Sequence, residues 1–360
     1  MAKIDALFRL VLEQGATDLH LSPSAKPMVR KVGQLVAIEQ APVLSDEMNK
    51  ALLYEIMTDA QKQKFEETKD LDMAYSSEAT DSRYRANIFQ DRKGMAAVFR
   101  AIPARIRTMD ELGLSNIIKD FANLHKGMVL VTGPAASGKS TTLAAIIDQI
   151  NRNREDHVLT IEDPIEFVQP SLKCLVNQRE VGKNTNSFAA ALKSALREDP
   201  DVIMVGEMRD LETVELAITA AETGHLVFGT LHTGSAAKTI DRMINVFPTK
   251  AQGQIRAMLS ESLKGVVAQQ LLYTIEGKRV LAQEILVGTP AIANMIREGK
   301  TFQINSVMQA SKKDGMLTMD ASIMDLVQRG IISPEEAYLK AHEKKTFEHL
   351  LAKKPNDLIM

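Results

Sequence analysis

Lys139 and Ser140 close the stretch Gly133-Pro134-Ala135-Ala136-Ser137-Gly138-Lys139-Ser140. A lysine and a hydroxyl directly after a glycine-bounded loop are the groups that hold a nucleoside triphosphate. A tight turn between two glycines aims main-chain N–H groups into the loop, and a helix N-terminus behind them completes an anion site. Lys139 is placed to reach the β- and γ-phosphates, Ser140 to ligate Mg²⁺, and Thr141 is the next residue of the helix that carries them. The bland alternative is a chance glycine turn. Both flanks argue against it: Met128-Val129-Leu130-Val131 reads as a buried parallel strand, and Thr141 to Ile147 has helical apolar spacing.

Phosphoryl transfer to water also needs a positioned water and a group that orients or deprotonates it. Acids at the C-terminal ends of neighbouring parallel strands supply such groups. Two stand there. Glu162 ends the strand His157 to Ile161, and Glu207 ends Asp201 to Val205. The second resembles a Walker B strand, with Gly206 where many P-loop enzymes carry a metal-linked aspartate. Glu207 is therefore assigned to the metal shell, through water, and Glu162 to the attacking water. The two roles are exchangeable on sequence alone. His232 ends the next strand, Leu226 to Leu231, where a histidine can sense the γ-phosphate; a structural hydrogen-bonding role is the plainer reading. Arg197 and Arg209 bracket the Glu207 strand, pairing locally with Asp199 and Asp210 or reaching across a subunit contact.

These groups require alternating strands and helices, and the chain supplies them from Ile117 onward, which predicts a parallel α/β sheet. Ser187 caps a helix from Phe188, Leu211 to Thr223 is a helix stopped by Gly224, and Ser235 to Val246 is another. Gln254 to Leu272 reads as one long amphipathic helix, Tyr273 to Leu286 as a hairpin, and the remainder as three or four short helices. The first hundred residues read as a smaller α+β domain. Its short strands are Asp18 to Leu21 and Met28 to Ile38, turning at Gly33-Gln34, followed by helices between Leu44 and Glu66. Arg83 to Gln90 and Met95 to Ile102 form a hairpin that sets Arg85 and Arg100 on neighbouring strands. Alone, such arginines need be no more than a solvated sheet face. Ile102 to Leu114 reads as a linker.

Composition narrows the class. At 360 residues with 45% apolar content the chain can bury sizeable cores. A net charge of −2, no tryptophan and 4% aromatics offer no charged, stacking groove for nucleic acid. The single cysteine, Cys174, excludes a disulfide or a multi-cysteine zinc site within one chain and suits a reducing cytoplasm. No apolar run is long enough to span a bilayer. Ile4, Leu7, Phe8 and Val11 share one helical face, which predicts a core-docking helix, with an amphipathic membrane anchor as the alternative.

Several of these stretches occur together in one family's order. The P-loop, Thr160-Ile161-Glu162-Asp163-Pro164-Ile165-Glu166, Asn177 to Gly182, Leu196 to Leu211, Ala221 to Leu226 and Gly229-Thr230-Leu231-His232-Thr233 resemble the type II/type IV secretion ATPase superfamily. The resemblance runs over nearly the whole length, and within the superfamily it is to the pilus retraction ATPases. It implies a PAS-like N-terminal domain over residues 1–101, a linker over 102–115, a RecA-like ATPase domain over 116–286 and a C-terminal helical region over 287–360. It implies a homohexamer that binds ATP and Mg²⁺, with Arg85 and Arg100 reaching the phosphates as domains close. The ring would turn an inner-membrane platform protein from the cytoplasmic face, with a second retraction ATPase as a possible partner. Assembly and secretion members usually carry a tetracysteine zinc motif and a longer N-terminal extension, and this chain has one cysteine and a compact N-terminal domain. Retraction members carry Ala-Ile-Arg-Asn-Leu-Ile-Arg-Glu, which Ala291 to Glu298 match except at Ala293 and, conservatively, Met295. The P-loop departs from Gly-Pro-Thr-Gly-Ser-Gly-Lys-Ser at Ala135 and Ala136, and a Cβ at the second is costly if φ is positive there. The competing readings are an accessory retraction motor, a RecA-like nucleic-acid translocase, and a nucleotide-binding regulator with little turnover.

Overall fold

A computed structural model describes residues 2–31, 34–102 and 105–351. The turn at Gly33 and two residues of the expected linker, Pro103 and Ala104, lie outside the described residues. The chain divides into two units, one of residues Met1–Ile106 with Pro164–Val168, the other of Arg107–Asp163 with Gln169–Met360.

The first unit runs α1 (Asp5–Glu13), β1 (Asp18–Leu21), β2 (Met28–Lys31), β3 (Gln34–Ala37), α2 (Asp46–Glu55), α3 (Asp59–Thr68), β4 (Asp70–Ser77), β5 (Ser82–Asp91) and β6 (Gly94–Ile102). Its strands form an antiparallel sheet in the order β3-β2-β1-β6-β5-β4. Ile4, Phe8 and Val11 of α1 are buried in the core, where Phe8 stacks on Tyr84 at 3.8 Å between ring centroids. A membrane anchor would turn that stripe outward, so α1 is the core-docking helix its spacing predicts. Strand β4 is absent from the reading of the sequence. Asp70 and Asp72 mask an alternation in which Leu71, Met73 and Tyr75 face the core and Ser77 is buried.

The second unit continues with α4 (Asn116–Ala122), β7 (Gly127–Thr132), α5 (Lys139–Asn153), β8 (His157–Glu162), β9 (Leu175–Glu180), α6 (Phe188–Ala195), β10 (Val202–Val205), α7 (Leu211–Glu222), β11 (Leu226–Leu231), α8 (Ala236–Asn245) and α9 (Gln252–Ser262). It ends with β12 (Leu263–Tyr273), β13 (Arg279–Val287), α10 (Pro290–Glu298), α11 (Ile304–Ala310), α12 (Met319–Gln328), α13 (Pro334–Lys340) and α14 (Lys345–Glu348). The sheet order is β13-β12-β7-β11-β10-β8-β9, parallel except for β13. Met128 and Leu130 of β7 join one core cluster and Val129 and Val131 the other, so the strand is covered on both faces, as parallel sheets require.

The predicted long helix Gln254 to Leu272 is corrected. Helix α9 stops at Ser262 and β12 takes over, paired between β7 and β13. Its run of buried Val266, Val267 and Ala268 suits a two-sided strand, and a Cβ at Gly265 would stand 2.3 Å from the Phe121 ring, so β12 needs glycine to lie this close to α4. Among the described residues the C-terminal part holds five α-helices rather than three or four. Glu284 on β13, almost fully buried, accepts from the N–H of Ala236 at the start of α8 (2.6 Å) and of Met319 at the start of α12 (3.3 Å). Burial pushes its carboxyl above the usual range, against those two bonds.

Candidate nucleotide site

Four adjacent parallel strands, β7, β11, β10 and β8, end on one edge of the sheet. Their ends carry the P-loop, His232, Glu207 and Glu162 respectively, so the topology brings these four predicted features to one edge.

Buried strand β7 feeds the loop directly into α5. Gly133 has φ +146°, and a Cβ there would stand 2.4 Å from the Gln269 carbonyl oxygen, so only glycine fits. Gly138 needs glycine for its φ of +91° alone. Ala136 is left-handed at φ +60°, which costs an L-residue about 1 kcal/mol or more. Ala136→Gly is expected to recover roughly half of that, the rest being offset by the glycine's freedom in the unfolded chain. If bound and free loops share the conformation, the melting midpoint rises by about 1–2 °C while ADP affinity stays unchanged, which melting and a nucleotide titration check together.

The Lys139 ammonium sits at the loop mouth, donating to the carbonyl oxygens of Gly133 and Pro134, both at 2.9 Å, and lying 3.5 Å from His232 Nδ1. Ser140 is exposed on the first turn of α5, where its hydroxyl is free to meet a ligand. Glu162 Oε1 accepts from Thr160 Oγ1 (2.7 Å) and Gln178 Nε2 (3.1 Å). Glu207, one-fifth exposed, takes Arg209 Nε at 2.5 Å and His232 Nε2 at 2.9 Å. The carboxylate partner raises the Arg209 pKa further above its ordinary value. The two ring nitrogens of His232 thus face the Glu207 carboxylate and the Lys139 ammonium, so the imidazole links the acid to the P-loop lysine.

Gly206 has a packing reason. Its N–H donates to Ile161 O at 2.8 Å, its carbonyl accepts from Thr230 Oγ1, and a Cβ would lie 3.1 Å from the same Ile161 oxygen. An aspartate there would press on β8. Of the two alternatives for Arg209, the local pair with Asp210 does not form: Asp210 caps α7 through the N–H of Thr213, and Arg209 pairs with Glu207. Arg197 is exposed, and among the described residues it forms no ion pair with Asp199.

Arg85 and Arg100 belong to the first unit, directly opposite each other across β5 and β6 and both exposed. Asp18 on β1, opposite Arg100 on its other side, takes Arg100 Nε at 2.9 Å. Asp18, Thr160, Gln178 and Thr230 fall inside stretches the sequence singles out, but no site role is read for them there. Thr160 and Thr230 lie on the strands that lead to Glu162 and His232, whereas Asp18 and Gln178 lie on the strands paired with those of Arg100 and Glu162.

A P-loop, two strand-end acids and a histidine on one edge of a two-sided parallel sheet define a RecA-like P-loop ATPase. The family model "Type II/IV secretion system protein" matches residues 1–329, and the chain belongs to that family. It is 52% identical over 344 residues to the type IV pilus retractation ATPase PilT of Pseudomonas aeruginosa, covering 96% of this chain and 99% of that protein. It is 50% identical over 321 residues to a twitching motility protein of Neisseria gonorrhoeae, covering 89% of this chain and 85% of that one. A crystal structure of the pilus retraction motor PilT with bound ADP superposes with a TM-score of 0.89 at 44% identity, covering 97% of this chain and 99% of that chain. Among the described residues no helix is long and apolar enough to cross a membrane.

Proposed function

We propose that this chain is the ATPase motor of type IV pilus retraction, acting as a homohexamer at the cytoplasmic face of the inner membrane. The observation that carries the reading is 52% identity across 96% of the chain to a retraction ATPase. The site supports it. Loop amides and Lys139 bind the triphosphate. Ser140 and Glu207 offer hard oxygen ligands of the kind Mg²⁺ takes beside phosphate and water, and among the described residues no cluster of three acids, histidines or cysteines competes as a cage. Bound Mg²⁺ would neutralise charge developing on the phosphates. Glu162, fixed by Thr160 and Gln178, orients the attacking water. His232 senses the γ-phosphate through its contacts with Glu207 and Lys139. Arg85 and Arg100 reach the phosphates as the domains close, and Arg197 and Arg209 complete the nucleotide surroundings.

Hydrolysis then turns an inner-membrane platform protein, with or without a second retraction ATPase. Deleting the gene in its host is the test. Expected are abundant surface pili with loss of twitching; bald cells would mean assembly and overturn the reading. A gel shift with single-stranded DNA separates it from a nucleic-acid translocase, which alone predicts binding.

A further inference from the structure

A buried chain of hydroxyls behind the loop has no part in the chemistry above. Thr132 is the last residue of β7 before the P-loop, Thr233 follows His232, and Thr239 lies in the first turn of α8. Thr132 and Thr239 are fully buried. Thr239 Oγ1 lies 2.7 Å from Thr233 Oγ1, donates to the Ser235 carbonyl oxygen at 2.7 Å, and lies 3.4 Å from Thr132 Oγ1. A hydroxyl has one proton and two lone pairs. Thr239 therefore accepts from Thr233 and directs its one proton to the Ser235 carbonyl oxygen and, at longer range, to Thr132 Oγ1.

The helix beneath is itself fixed. The Ala236 N–H is held by buried Glu284, and the Ser235 hydroxyl accepts from the Lys238 N–H. Thr239 is therefore a fixed post to which the residue before the P-loop and the residue after His232 are both tied. The bond to Ser235 alone is what any helical threonine makes. The bonds to Thr132 and Thr233 add nothing to the helix.

We propose that Thr239 is a positioning residue for ATP hydrolysis, holding the His232 loop against the P-loop so that His232 stays within reach of both Lys139 and Glu207. The inference rests on the reading of His232 as the γ-phosphate sensor. It predicts that loss of the hydroxyl impairs turnover, not nucleotide capture.

The test uses the purified full chain as wild type, Thr239→Val, Thr239→Ser, His232→Ala and the Thr239→Val/His232→Ala double variant. The readouts are ADP affinity with a fluorescent nucleotide and kcat at saturating Mg-ATP. Expected is a fall in kcat of about tenfold for Thr239→Val, with ADP affinity within about threefold of wild type. Thr239→Ser, which keeps the hydroxyl, returns kcat to within about twofold, and Thr239→Val lowers kcat no further on the His232→Ala background. Undiminished kcat in Thr239→Val beside an impaired His232→Ala overturns the role of Thr239 alone. A joint fall of kcat and ADP affinity, or an equal fall on both backgrounds, overturns it too. Wild-type kcat in His232→Ala sinks the sensor reading and the route through it. If Thr239→Val does not fold, Thr233→Val removes the half-buried end of the same bond and carries the same expectations.

Discussion

Glu162→Gln is expected to lower kcat by about 10²–10³-fold while leaving ADP affinity within about threefold. The glutamine keeps the shape and can still accept from Thr160 and Gln178 through its amide oxygen, so the side chain stays where it is. What goes is the charge that polarises water. Glu207→Gln differs in kind, because its carboxylate holds Arg209 and His232 together. Losing that charge releases the guanidinium and weakens a ligand to the metal shell. The half-saturating Mg²⁺ concentration should rise about tenfold, along with a loss of kcat. Phosphate release measured across a Mg²⁺ titration separates the two. If Glu207→Gln gives the pure kcat loss and Glu162→Gln the Mg²⁺ shift, the roles are exchanged. If neither changes phosphate release, the chain is a nucleotide-binding regulator.

The features most legible in the sequence are those fixed by local chemistry. Gly133 and Gly138 announce a loop that only glycine can enter, and apolar runs ending in Glu162, Glu207 and His232 announce strands covered on both faces. The unread features depend on what lies across the sheet. Leu263 to Tyr273 carries apolar spacing compatible with a helix, and becomes a strand because β7 and β13 offer it ladders on both sides. Strand β4 is hidden for the opposite reason, since its outward acids leave only alternate residues to signal burial. The partner of Arg209 was unreadable because Asp210 is the nearer acid in sequence, yet its oxygens are taken by the first turn of α7. Thr132, Thr233 and Thr239 look unremarkable in sequence, and only the hydrogen bonds from α8 to the end of β7 and to the loop after β11 make them one group.

Arg85→Ala and Arg100→Ala are each expected to lower kcat by about 10²-fold or more, with little change in ADP affinity. Their placement is what argues for function over a solvated face. Two guanidiniums directly opposite on neighbouring strands repel, a destabilisation of a few tenths of a kcal/mol to about 1 kcal/mol. A sheet that needed only solvation would gain by replacing one of them. Instead, Asp18, 5% exposed, is spent on Arg100, and Arg85 is left facing water beside it. Such an arrangement keeps one guanidinium aimed and the other available to an anion. Stability and activity should therefore move in opposite directions for Arg85→Ala. Removing the repulsion should leave the melting midpoint unchanged or slightly raised, while phosphate release collapses. Arg100→Ala should instead lower the midpoint as well, because it removes the ion pair of the buried Asp18 carboxylate and leaves it the Thr17 hydroxyl. Wild-type turnover in Arg85→Ala would return that arginine to the solvated face of a sheet.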